Sequence, residues 1–62
     1  MKNYIGKQLT IPAGARVRVL GETKIRKTES VVTVRDQEPA RNGKVRVFWK
    51  SHGYRASALV NA

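Results

Sequence analysis

Cysteine is absent from the 62 residues, so neither disulfides nor thiolate metal sites can brace the fold. Carboxylates are scarce: Glu22, Glu29, Asp36 and Glu38 stand alone against 13 Lys and Arg, for a net charge of +9 at pH 7. None of the four sits in an apolar stretch that would tune it for acid–base work. Ser30, Ser51 and Ser57 lack any adjacent base or nucleophile-elbow context, and His52 is the single histidine, so neither catalysis nor a metal or cofactor site is expected. No apolar run approaches the roughly 20 residues of a membrane span, and Met1–Lys7 lacks the apolar core of a signal peptide. No amphipathic helix is visible, which argues against a membrane surface as partner. These absences lead to the expectation of a soluble cytoplasmic protein, nucleoid-associated if its partner is DNA.

Residues 1–62 suffice for one domain, and a chain of this size buries only about 60% of the surface its unfolded form exposes. Of its 25 hydrophobic residues six are alanine and eight are valine, a β-branched bias that favours strands. Three segments carry the period-2 alternation of half-buried strands. Ala15–Leu20 alternates Val17 and Val19 with Arg16 and Arg18; Ser30–Arg35 puts Val32 and Val34 on one face. Lys44–Lys50 sets Val45, Val47 and Trp49 on one side and Lys44, Arg46, Phe48 and Lys50 on the other, which assigns the only indole to the core. Pro12-Ala13-Gly14, Gly21, Asn42-Gly43 and Ser51-His52-Gly53 punctuate these runs, Asn-Gly being the strongest short hairpin signal. Glu22–Glu29, with Ile25 its only apolar residue, reads as an exposed basic loop. The fold class is therefore all-β, and short strands in so few residues suit a small five-stranded barrel that hides its edges.

Leu9-Thr10-Ile11-Pro12-Ala13-Gly14 with the strand after it resembles the diverging-turn segment of Src-homology-3 (SH3-like) barrels. Gly53-Tyr54-Arg55-Ala56-Ser57-Ala58-Leu59-Val60 is similar to their C-terminal stretch. The resemblance implies an SH3-like β-barrel with a short 3₁₀ turn near the C-terminus. The family's turn proline is Ala56 here, its ligand-stacking tyrosine is Leu59, and Lys24, Arg26 and Lys27 replace its acidic loop residues. Recognition of proline-rich peptides is thus not expected; the Tudor-like, KOW-like and small bacterial or phage barrels, many of which bind nucleic acids, fit better.

An excess of positive charge this large calls for an anionic partner, nucleic acid first. The candidate contacts are the strand cations Arg16, Arg18, Lys44, Arg46 and Lys50 with Phe48 among them, then Arg55, and the basic segment Lys24, Arg26 and Lys27 followed by Arg35. Lys and Arg contacts to phosphates release condensed counterions, and Phe48 is positioned to stack on a base. DNA is slightly favoured over RNA. The rival reading is a small phage-type inhibitor or adaptor that docks on an acidic patch of a larger host protein, with charge steering the encounter and an aromatic anchor.

Overall fold

The computed structural model describes residues 2–62 and is built from strands. They are β1 (Gln8–Ile11), β2 (Arg16–Val19), β3 (Glu22–Ile25), β4 (Ser30–Thr33), β5 (Asp36–Gln37), β6 (Lys44–Ser51) and β7 (Tyr54–Asn61). All pair antiparallel, in a five-stranded sheet of order β3-β2-β7-β6-β5 and a two-stranded sheet β1-β4.

Tight turns set the registers. Ser51↔Tyr54 closes the β6–β7 hairpin over His52 and Gly53, whose φ values of 51° and 82° are those of a type I′ turn. Asn42 (φ 55°) and Gly43 (φ 75°) turn the chain between the bridged pair Arg41 and Lys44. From β5 to that bridge the pairing slips by one residue, at Pro39-Ala40, where proline has no N–H to give a ladder.

The path 30–37 joins the two sheets. The Val34 N–H donates to the Lys7 carbonyl at 3.0 Å, on the β1 side. One residue later the Arg35 N–H donates to the Phe48 carbonyl at 2.8 Å, although the register partner of Phe48 is Asp36. Two residues opposite one make a β-bulge, the device by which a strand bends from one sheet into another.

Between the sheets lie Ile11, Val17, Val34, Val45, Val47, Trp49, Ala56 and Ala58, all buried. Trp49 pairs across the hairpin with Ala56, and Val47 with Ala58, so the largest ring sits beside small neighbours that leave it room. An N-terminal arm closes one side. The Tyr4 hydroxyl donates to the Asn61 carbonyl at 2.6 Å, and the Tyr4 N–H donates to Gln37 Oε1 at 2.7 Å.

The all-β class and the core side of all three alternating segments match the sequence expectation. Three features differ. Seven strands form two sheets rather than five forming a closed barrel, because β1 and β3 each keep an unpaired outer edge. Tyr54–Asn61 is continuous strand where a 3₁₀ turn was expected, because Ala56 retains the N–H that proline would lack and pairs with Trp49. Glu22–Ile25 is a strand, not a loop: Leu20 (φ 52°) and Gly21 (φ 78°) turn the chain back onto β2, with Val19 opposite Glu22.

Candidate nucleic-acid interface

One face of the five-stranded sheet packs on the core, and the other carries most of the candidate residues. A single row crosses all five strands on that outer face: Thr23, Arg18, Ser57, Phe48 and Asp36 are successive register partners. Beside it stand the pairs Arg46↔Leu59, Lys50↔Arg55 and Lys44↔Asn61, with Arg16 opposite Ile25. The central strand is β7, so β2 and β6, which hold the alternating cations, flank it on either side. Arg16, Arg18, Lys44, Arg46, Lys50 and Arg55 thereby share one surface, because strand side chains alternate faces strictly.

The electrostatics are one-sided. Among the described residues the one ion pair is Arg55 Nη2 to Asp36 Oδ2 at 3.2 Å, between two well-exposed side chains. Lys50 lies directly opposite Arg55, a like-charge cross-strand pair that is unfavourable for the sheet alone. Arg46 Nη1 donates to the buried Ser57 hydroxyl at 3.0 Å, and Lys44 Nζ donates to Asn61 Oδ1 at 2.7 Å. Both bonds orient a cation without neutralising it. Arg16, Arg18 and Lys50 are exposed and take no partner among the described residues, which leaves them open to an incoming anion.

Phe48 does not offer a bare ring. The Arg55 guanidinium lies 4.0 Å from its centroid, held there by Asp36, so the ring is already stacked. Leu59, which sequence reasoning left off the face, is 56% exposed at its centre. Two shallow grooves meet there: one of about 460 Å³ bordered by Arg16, Arg18, Lys44 and Arg46, the other of about 710 Å³ between Lys44, Arg46 and the Glu38–Asn42 segment. The alternation of Ala56, Ala58 and Val60 with Ser57 and Leu59 is the signal that could have found it.

The other four candidates lie elsewhere. Lys24 pairs with Val17 and so projects from the opposite face of the β2–β3 hairpin, and Lys27 follows the end of β3. Arg26 is half-buried and donates to the Ser30 hydroxyl. Arg35 sits on the bulge, at the margin of the sheet. The segment read as one basic loop is hairpin strand at Lys24, and the Arg26 N–H extends that ladder to the Ala15 carbonyl on the same side as Lys24, away from the outer face. Among the described residues no three His, Asp or Glu side chains converge as metal ligands, and no helix is long and apolar enough to cross a membrane.

No family model, curated protein or solved structure matches the chain.

Proposed function

We propose that this protein is a small basic domain that binds nucleic acid through backbone phosphates, with little sequence specificity, and that its fold is an opened relative of the SH3-like barrels. The observation that carries the reading is the outer sheet face: six cations beside two carboxylates, Asp36, which is paired with Arg55, and Glu38, which borders the groove beside Lys44 and Arg46. Three of those cations have no side-chain partner among the described residues, and the Lys50↔Arg55 juxtaposition makes sense where a polyanion lies across it. With Phe48 covered by Arg55, phosphate contact outweighs base stacking, and duplex DNA is the favoured form.

Arg16→Glu with Arg18→Glu tests this without removing a side-chain hydrogen bond among the described residues. Wild-type affinity for a short duplex, followed by fluorescence anisotropy, should fall with salt at a log–log slope of roughly −3 to −5, and the double variant should bind far more weakly with a flatter slope. A salt-independent wild type contradicts the proposal.

Exposed Leu59 supports a second reading, docking on an acidic patch of a larger protein with Leu59 as the apolar anchor. Leu59→Ser separates the two: duplex affinity within about twofold of wild type fits phosphate binding, whose energy is electrostatic.

A further inference from the structure

We propose that the cleft where β4 and the end of β6 splay apart is a strand-addition site for an extended acidic segment of a partner protein, beside the outer face and sharing Lys50 with it.

The backbone ledger of that cleft is incomplete. Antiparallel ladders alternate, so a residue's N–H and C=O point together to one neighbouring strand. The Val34 N–H bonds to Lys7, which fixes the phase of β4: the backbone groups of Val32 and Ser30 face β1, and those of Val31 and Thr33 face the other way, toward β6. On β6 the Phe48 carbonyl accepts from Arg35, so two residues on, the backbone groups of Lys50 face β4. Beyond the bulge no register pairs β4 with β6 among the described residues. The Val31, Thr33 and Lys50 backbone groups therefore look into the cleft from both sides without strand partners.

The space and chemistry between these edges are specific. The cleft is an open groove of about 570 Å³ beside the four residues of β4, a length of roughly 13 Å for an extended chain. Its walls carry Arg26, Arg35 and Lys50, the hydroxyls of Ser30, Thr33 and Ser51, and no carboxylate. Trp49 also lines it, and its Nε1 is the one buried side-chain polar atom without a partner among the described residues. An added strand would bond to the unpaired β4 edge, as β-augmented peptides do, and the cationic walls select acidic side chains on it. A second copy of this chain, at +9, is electrostatically disfavoured as occupant.

The test uses a capped peptide of alternating glutamate and valine, titrated into the full chain and followed by backbone amide shifts and Trp49 fluorescence. Saturable shifts at Val31, Thr33 and Lys50 are expected, with affinity lost about tenfold or more when alternate peptide nitrogens are methylated, since methylation removes the donors that an edge strand needs. Val31→Pro removes an N–H that β1 does not use and should lower affinity similarly; should that variant fail to fold, the methylated peptide decides alone. No saturation below about 1 mM, equal binding of the methylated peptide, or the same shifts induced by single-stranded oligothymidylate or by concentrating the protein alone would each overturn the proposal.

Discussion

Trp49 concentrates the chain's packing in one side chain. It is 2% exposed, and its Nε1 has no partner among the described residues, so its contribution is that of an apolar ring. Trp49→Phe, which leaves a smaller cavity, should therefore cost clearly less than Trp49→Ala, which should cost about 3–5 kcal/mol and unfold much of the population. Urea titrations of the two variants check the difference; a Phe variant as damaged as the Ala variant would mean the indole N–H holds a structural bond. Trp49 was legible from its parity with Val45 and Val47. Tyr4 was not: its bonds to Asn61 and Gln37 span 57 and 33 residues of sequence, and no local pattern announces a contact of that range.

Hairpins are the elements that place the site, and the β2–β3 hairpin is strained. Leu20 holds φ 52° while 72% exposed, so it accepts left-handed backbone without core burial in return. Leu20→Asn keeps the turn and should raise stability by about 1 kcal/mol, visible as a higher melting temperature; no gain would show that Leu20 packs on something that stabilises it. The same turn explains why β3 was hidden. Asn42-Gly43 and His52-Gly53 sit between alternating runs and are readable as turns, but Leu-Gly is poor turn chemistry, and Glu22–Ile25 is exposed at every position and shows no alternation. The strands with one wet and one dry face, β2 and β6, were legible for the converse reason. Sheet closure was not, because a bulge at Arg35–Asp36 is a backbone event without a side-chain signature.

At the scale of the whole molecule, an object of 28 × 22 × 21 Å with +9 net charge has one broad surface where six cations outnumber two carboxylates, both at its β5 margin. Its long dimension matches roughly eight base pairs of duplex, which sets the expected site size. Cations on β2 and β6 were visible as alternation, but their union depended on β7 lying between them, a fact of sheet order. Lys24, Arg26 and Lys27 show the converse, a cluster of cations in the sequence that lies off the face. The most direct measurement is an amide and side-chain chemical-shift map of the protein titrated with a short DNA duplex at low salt. The face account predicts perturbations concentrated on Arg16, Arg18, Arg46, Phe48, Ser57 and Leu59, fading as salt is added; shifts confined to β1 and β4, or none at all, would contradict it.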